Sequence, residues 1–179
     1  MIRPIDVVGF WRDAGPDKWF AKNAKFDERI ALRFEPSHFA AARGEHDAWM
    51  SSPEGCLALL LLLDQFPRNL FRDSAHAFAT DDKALSIAKH AIGEGFDQSI
   101  EPVLRPFVYM PLMHSEVLAD QEASVVLFEA LGAKTNLDFA VIHRDIIARF
   151  GRFPHRNAAL GRATTPEEQA FLEDGGFAG

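Results

Sequence analysis

Apolar residues recur at intervals of three and four along most of the chain, the spacing that places side chains on one face of an α-helix. No run of six residues alternates apolar and polar positions with β-branched side chains, so the pattern predicts no β-strand. We expect eight or so helices in one all-α domain over residues 1–179, with a loose tail at 174–179. The predicted helical stretches are 4–13, 24–43, 56–66, Thr80 to Gly93 or Gly95, 107–117, 125–131, 136–150 and a last helix that begins at Thr165.

One predicted helix differs from the others because it is apolar on every side. Residues 56–66 are nearly all Leu and Ala, and a helix of this kind lies at the centre of a fold. Ser52 and Pro53 precede it as a capping residue and a proline at the first helical position. The stretch 24–43 contains Pro36, near which we expect a break or a kink. Asn136 is expected to cap the helix that follows it.

Local signals also mark three other helix ends. Gly132 and Gly151 are expected to end the helices that precede them. Residues 165–168, Thr-Pro-Glu-Glu, form a capping box that starts the last helix, with proline at the first helical position.

Composition narrows the class of protein. A formal net charge of −7 and a pI near 5.5 argue against nucleic acid as the main partner, because phosphate binding favours a basic surface. The single Cys56 excludes an internal disulfide and fits a reducing compartment. The N-terminus has no apolar core of signal-peptide length, and the longest apolar run, 56–63, is too short to span a bilayer. We therefore expect a cytoplasmic protein with no membrane partner.

Positive charge is concentrated in the stretch 143–162, which holds five arginines, two histidines and a single acid, Asp145. The stretch contains no lysine, and arginine favours planar, bidentate recognition of carboxylate or phosphate. Asp145 and Arg149 are spaced to pair on one helix. That pairing would leave Arg152, Arg156 and Arg162 without an acid nearby in the sequence.

Two segments of the chain have similar sequences, Phe-Pro-Arg-Asn at 66–69 and Phe-Pro-His-Arg-Asn at 153–157. In each, proline would start a helix whose first turn carries arginine, a position that the helix dipole disfavours unless an anion compensates. One hypothesis is a shared pocket for an anionic ligand. The alternative, which is the commoner case in proteins, is pairing with Asp64, Glu116 or Asp145. The residues assigned to the ligand pocket are Arg68, Asn69, Arg152, His155, Arg156 and Asn157.

Two histidines fall on the apolar faces of predicted helices and are candidates for acid–base chemistry. His114 is followed by Glu116, and His143 by Asp145, so each imidazole has a carboxylate that could orient it. The more frequent role for such a residue is a core histidine bonded to a carbonyl or carboxylate. Positions two apart point to different sides of a helix, so we expect no metal site at either pair. No phosphate-binding or dinucleotide glycine motif is present, and no cofactor is expected.

Three longer motifs resemble one known family. They are LDQFPRN at 63–69, YMPLMHSE at 109–116 and RFGRFPHRN at 149–157. Together they are similar to the mainly bacterial domain-of-unknown-function family number 924, and the resemblance runs from the first helix to Thr165. It implies an all-α, TPR-like arrangement of helical hairpins, and it implies no reaction, cofactor or catalytic residue.

Three hypotheses of function follow. The first is a binding module whose groove takes an anionic small molecule or a peptide carboxylate. The second is a hydrolase or transferase on an anionic substrate, with a histidine as acid or base. The third is an interaction protein that works as a homo-oligomer through an exposed face rich in phenylalanine.

Overall fold

The computed structural model describes residues 2–177, which form ten α-helices and no strand within that range. The all-α class is therefore confirmed. The chain divides into two compact units, residues 1–72 with 76–111 and residues 73–75 with 112–179. The single domain over 1–179 and the TPR-like arrangement stay predictions. No helix in the described part of the chain is both long enough and apolar enough to cross a membrane.

The first unit is built from seven helices, the last of which runs into the second unit. They are α1 (Pro4–Ala14), α2 (Pro16–Trp19), α3 (Ala24–Ala42), α4 (Pro53–Leu60), α5 (Phe66–Leu70), α6 (Asp81–Gly93) and α7 (Pro106–Met113). Short 3₁₀ turns occur at Asp47–Ser51, Ala75–Phe78 and Phe96–Ser99. The starts and ends of the first and sixth helices agree with the sequence prediction to within about one residue.

A buried segment, residues 55–67, forms the centre of the first unit, as the apolar pattern predicts. Ser52 caps α4 by accepting a hydrogen bond from the Gly55 amide at 3.2 Å. Gly55 is required there, because a Cβ would clash with the carbonyl oxygen of Trp49. The predicted helix 56–66 is not uniform. It changes from α4 into a π-helical turn at Leu61–Gln65 before α5 begins.

The aromatic part of this core is assembled from α1, α2, α3, α5 and α7. The ring of Trp11 lies 5.4 Å from that of Phe66 and 5.5 Å from that of Phe107. Trp19 packs edge-on against Phe107 at 5.1 Å and donates its Nε1 hydrogen to the Trp11 carbonyl at 2.7 Å. Phe34, from α3, packs on Phe66 at 5.2 Å. Large rings thus cover the apolar segment without leaving a buried polar atom of Trp19 unbonded.

Of the break or kink expected near Pro36, the break does not occur: α3 runs from Ala24 to Ala42 without interruption. Pro36 is exposed, and Leu32, whose carbonyl it cannot bond, has an 81% exposed side chain. Water can satisfy a carbonyl on that face, so the proline is tolerated without ending the helix.

The second unit is organised by α8 (Leu118–Leu131) and α9 (Lys134–Phe150), which pack against each other across the short link at 132–133. A 3₁₀ turn at Pro154–Arg156 and α10 (Pro166–Glu173) follow. The expected cap at Asn136 is wrong, because α9 already begins at Lys134. The glycine stops are confirmed: Gly132 and Gly151 have φ of 71° and 68°, in the left-handed region that favours glycine.

The core of the second unit gathers around Phe153, which is fully buried. Ile146 and Ile147 of α9 pack with it, and partly buried phenylalanines from α9, α10 and the segment after α10 cover them: Phe150, Phe171 and Phe177. Part of the expected loose tail, residues 174–177, is therefore described, and Phe177 is half-buried. The last two residues of that tail, Ala178 and Gly179, lie outside the described residues.

Truncation of Leu61 tests the central position of the buried segment. Leu61 is fully buried, so Leu61→Ala removes methyl groups that the surroundings cannot replace, and we expect a loss of about 2–5 kcal/mol in the free energy of unfolding. The matched control is Leu32→Ala, an 81% exposed leucine of the same unit, which should change stability by no more than about 0.5 kcal/mol. Urea unfolding followed by circular dichroism measures both. Equal effects at the two positions would contradict the central placement.

Candidate functional site

Arg152 and Glu168 form an ion pair beside the start of α10. Thr165 caps that helix, and the capping box predicted by the sequence is present, with the Glu168 carboxylate accepting from the Thr165 amide at 2.8 Å. The same carboxylate accepts from Arg152 at 2.6 and 2.8 Å and from the Asn157 amide group at 3.2 Å. The Arg152 hydrogen bonds lower the pKa of Glu168 to about 2, although its burial opposes this shift. Arg152 and Asn157 are thus held by an acid of the chain.

Glu116 holds a second arginine of the basic stretch. Its two oxygens accept from Arg162 at 2.8 and 3.0 Å, and one of them also accepts from the Phe153 amide at 2.8 Å. Arg162 in addition donates to the Phe153 carbonyl and to the Asn157 side chain, both at 3.0 Å. Burial by itself would raise the pKa of Glu116, but the hydrogen bonds from Arg162 and Phe153 outweigh it and the pKa is lowered. This carboxylate is a structural anchor for the turn at 153–157.

The pairing of Asp145 with Arg149 that the helical spacing suggests is wrong. Asp145 instead accepts from Arg144 at 2.6 Å, and Arg149 pairs with Glu167 at 3.1 Å. Both pairs are largely exposed, so each contributes little to stability. Among the described residues, Asp145 makes no hydrogen bond with His143, since helical positions two apart face different directions.

Arg68 belongs to the first unit and is paired with two aspartates there. Its guanidinium donates to both oxygens of Asp81 at 2.9 Å and lies 3.2 Å from an Asp64 oxygen. Burial alone would lower the pKa of Arg68, but the two carboxylates outweigh it and the pKa is raised. Asn69 donates to Asp27 at 2.8 Å and accepts from Gln65 at 3.0 Å. Pro67 does not start a free helix, because α5 continues directly from the π-helical turn.

The candidate residues are therefore distributed over both units. Arg68 and Asn69 lie in the first unit, and the second contains Arg152, His155, Arg156, Asn157, His114, Glu116, His143 and Asp145. Internal ion pairs, the alternative weighed from the sequence, are present for Arg68, Arg152 and Arg162. A single pocket that joins Arg68 to the arginines of the second unit stays a prediction.

A second group of candidates lies together in the second unit and is called the histidine–arginine cluster: His114, His143, His155 and Arg156. The imidazole rings of His114 and His143 are 6.3 Å apart. Arg156 is only 6% exposed, donates to the His114 carbonyl at 3.0 Å and lies 4.5 Å above the Phe153 ring. The ring of His155 lies 5.5 Å from Phe153 on the same turn. The turn at 153–157 thus brings three imidazoles and one guanidinium into one neighbourhood.

His143 is the buried member of the cluster, with 5% of its surface exposed. Its Nδ1 is 2.8 Å from the Phe139 carbonyl oxygen. Burial is the main cause that lowers the pKa of His143 to about 3, and the nearby His114, His155 and Arg156 add to the effect. The ring is therefore neutral at physiological pH, and its Nδ1 carries the hydrogen that the carbonyl accepts.

His114 does not lie on a helix, contrary to the prediction, because α7 ends at Met113. The carbonyl oxygens at Met113 and Ser115 are bonded by the Gln121 side chain, both at 2.6 Å, which stabilises the turn after α7. Glu116 is engaged by Arg162 and the Phe153 amide. Among the described residues, no group of three or more His, Cys, Asp or Glu side chains is arranged to hold a metal ion.

Three residues that matter to this region were not among the sequence candidates: Arg162, Glu168 and Phe177. The first two carried a signal, since Arg162 ends the basic stretch and Glu168 is one of the next acids downstream of it. Phe177 carried none, because a phenylalanine in a glycine-rich end shows no periodicity. Its ring lies 4.6 Å from that of His143 and 5.2 Å from that of His155.

Comparison with known proteins bears on the identity of the chain. The model of a family described as bacterial protein of unknown function, DUF924, matches residues 7–176. The chain belongs to this family. A solved structure, the protein of unknown function ATU0120 from Agrobacterium tumefaciens, has 52% sequence identity and a TM-score of 0.92. The match covers 96% of this chain and 97% of that one. No curated protein matches this DUF924 member.

The lowered pKa of His143 makes stability depend on pH in a defined direction. The unfolded chain binds a proton at His143 below about pH 6.5, whereas the folded ring stays neutral down to about pH 3. The free energy of unfolding therefore decreases as the pH falls through this window, by up to about 1.4 kcal/mol per pH unit. We expect the free energy of unfolding to fall between pH 6.5 and 5, where carboxylates are still charged.

The variant His143→Phe tests this assignment, because phenylalanine keeps the ring but cannot take up a proton. The pH dependence of its unfolding free energy between pH 6.5 and 5 should be shallower than that of the wild type. His38, whose pKa is also lowered by burial, remains in both proteins and cancels from the difference. Equal slopes in urea titrations would show that His143 does not titrate as described.

Proposed function

We propose that this DUF924 member is a binding module whose second unit takes an anionic ligand at the histidine–arginine cluster. The observation that carries the proposal is the geometry of the cluster: the buried Arg156 guanidinium lies 4.5 Å above the Phe153 ring, and the rings of His143 and His155 lie 5.3 and 5.5 Å from the same phenylalanine. Burial, with a contribution from His114, His155 and Arg156, lowers the pKa of His143 to about 3, so the cluster disfavours further positive charge and favours a bound anion.

The chemistry of the cluster fits an anion that carries an apolar part. Arg156 supplies a guanidinium suited to carboxylate or phosphate and is stacked on Phe153, which orients it. Phe153 and Phe177 provide aromatic surface beside His143 and His155. A few polar groups that converge between aromatic walls are typical of sites for small molecules. An acidic small molecule or the carboxylate of an acidic peptide meets these requirements.

The enzyme hypothesis has less support from the same geometry. A general base needs a pKa near the working pH, and the lowered pKa of His143 makes it a poor proton acceptor at neutrality. Glu116, which the sequence pairs with His114, is occupied by Arg162 and the Phe153 amide. A hydrolase or transferase would therefore have to rely on His114 or His155.

The homo-oligomer hypothesis also has less support. Within residues 2–177, three phenylalanines have exposed side chains, Phe20 and Phe39 in the first unit and Phe139 in the second. They do not amount to one phenylalanine-rich face within either unit.

A cytoplasmic location remains part of the proposal. The net charge of −7 supports partners other than nucleic acid, as the sequence suggests. The thiol of Cys56 is fully buried, and burial raises its pKa to about 11, so it is an unreactive core residue. Nothing in this arrangement requires an oxidising compartment or a membrane surface.

Anion-dependent stabilisation tests the cluster. Inorganic phosphate and 3-phenylpropionate, added separately at millimolar concentration, should raise the Tm of the wild type, because a ligand that binds only the folded state stabilises it. His155→Gln and Arg156→Gln should lose this rise. The matched control is Arg149→Gln in the same stretch, which removes an exposed arginine outside the cluster and should keep it.

Two results would contradict the proposed anion site. If neither anion raises the Tm of the wild type, the cluster does not bind anions. If His155→Gln keeps the full rise, the binding lies elsewhere. His155 is half-buried and Arg156 is buried, so the histidine variant gives a clear answer even if Arg156→Gln weakens the fold.

A further inference from the structure

Gly9 occupies the middle of α1 without a visible structural reason. Glycine destabilises a helix interior relative to alanine. Its φ does not fall in the left-handed region, and a Cβ added to it would meet no atom within 4 Å. Neither the backbone nor the packing of the first unit therefore requires glycine. The space above Gly9 is part of an open groove of about 320 Å³, which lies between α1, α2 and α3.

One wall of this groove, called the first-unit groove, carries two arginines of α3. Arg29 and Arg33 are one helical turn apart, and the guanidinium carbon of each lies 5.4 Å from the centre of the Phe10 ring. Arg33 also lies 5.1 Å from the ring of Phe34. The buried Phe10 thus supports both guanidinium groups from one side.

The donors of these arginines are not used by the described part of the chain. Within residues 2–177, neither Arg29 nor Arg33 has a carboxylate within 4.0 Å or a side-chain hydrogen bond. This distinguishes them from Arg68, Arg152 and Arg162, each of which is paired with an acid. Lys18 of α2 lines the same groove and adds a third positive group.

The opposite wall carries acids of α1. Asp6 is engaged by Arg3 through hydrogen bonds at 3.1 Å. Asp13, about two turns further along the same helix, has no ion pair with any residue between 2 and 177. The groove therefore presents arginines on the α3 side and one available carboxylate on the α1 side, with Gly9 between Asp6 and Asp13.

We propose that the first-unit groove binds a small zwitterion, with its anionic group on Arg29 and Arg33 and its ammonium group on Asp13. The class of ligand is an acidic amino acid or a short acidic peptide. Paired guanidiniums suit a carboxylate or phosphate, and a lone carboxylate on the other wall favours a ligand that also carries an amino group. Gly9 leaves the room that such a ligand occupies. This site is independent of the histidine–arginine cluster and shares no residue with it.

NMR titration of the ¹⁵N-labelled full chain with L-glutamate tests the proposal. Saturable shifts are expected at the Gly9 amide and at the Nε–Hε signals of Arg29 and Arg33. Glutarate, which has the same two carboxylates but no ammonium group, should bind about tenfold more weakly, a difference of about 1.4 kcal/mol. Equal affinities would overturn the zwitterion, and the absence of saturable shifts at Gly9 would overturn the site.

A filling variant separates the site from the fold. Gly9→Gln places a side chain in the groove, so L-glutamate binding should be lost while the Tm is unchanged or raised. The matched control is Gly93→Gln, another helical glycine of the first unit above which a Cβ meets no atom within 4 Å. This control should keep the binding. If Gly9→Gln still binds L-glutamate as the wild type does, the groove is not the site.

Charge variants complete the test. Arg33→Gln should lower the affinity for L-glutamate at least about tenfold, and Asp13→Asn should make the affinities for L-glutamate and glutarate alike. His155→Gln, in the other unit, should leave this titration unchanged. Failure of this proposal and failure of the proposed function therefore give different results. An affinity for L-glutamate that is unchanged in Arg33→Gln would overturn the assignment.

Discussion

The burial of residues 55–67 along their whole length is the constraint on which the first unit depends. A helix that is apolar on every side must be covered on every side, and α1, α3 and α6 all pack against it. The π-helical turn at 61–65 and Pro67 leave carbonyls of this segment without helical partners. His38 bonds the Leu62 carbonyl at 2.8 Å, and the Thr80 hydroxyl bonds that of Leu63. A polar side chain of α3 and one from the residue before α6 thus satisfy the irregular backbone inside an apolar core.

The second unit meets a different requirement, which is the placement of many arginines in a chain of negative net charge. Glu116 and Glu168 each bind an arginine and a backbone amide at the same time. Glu116 therefore connects the turn at 153–157 to Arg162. Glu168 connects the start of α10 to Arg152. These pairs explain how Arg152 and Arg162 are accommodated, and they leave the histidine–arginine cluster as a separate feature.

The two proposed sites differ in their physical character. The histidine–arginine cluster is built around the buried, neutral His143 and the buried Arg156, so the anion proposed for it would bind to groups that are shielded from water. The first-unit groove is lined by exposed arginines that are always charged, so binding there depends on salt more than on pH. Family membership assigns no reaction to either, which makes these local charge arrangements the basis for functional work.

The sequence by itself determined the features that depend on neighbours along the chain. The all-α class, the caps at Ser52 and Thr165, and the stops at Gly132 and Gly151 follow from local backbone chemistry and were predicted from it. The buried segment was predictable too, because no helix apolar on every side can face water.

Only the tertiary structure decided which charges meet. Arg152 pairs with Glu168, 16 residues away, and Arg162 with Glu116, 46 residues away. Neither distance follows from helical periodicity, and the one pair that periodicity suggested, Asp145 with Arg149, does not form. The first-unit groove was likewise invisible in the sequence, since Gly9, Asp13 and Arg33 come from two helices and carry no shared motif. Local propensity acts over a few residues, whereas ion pairs and grooves depend on how distant elements pack.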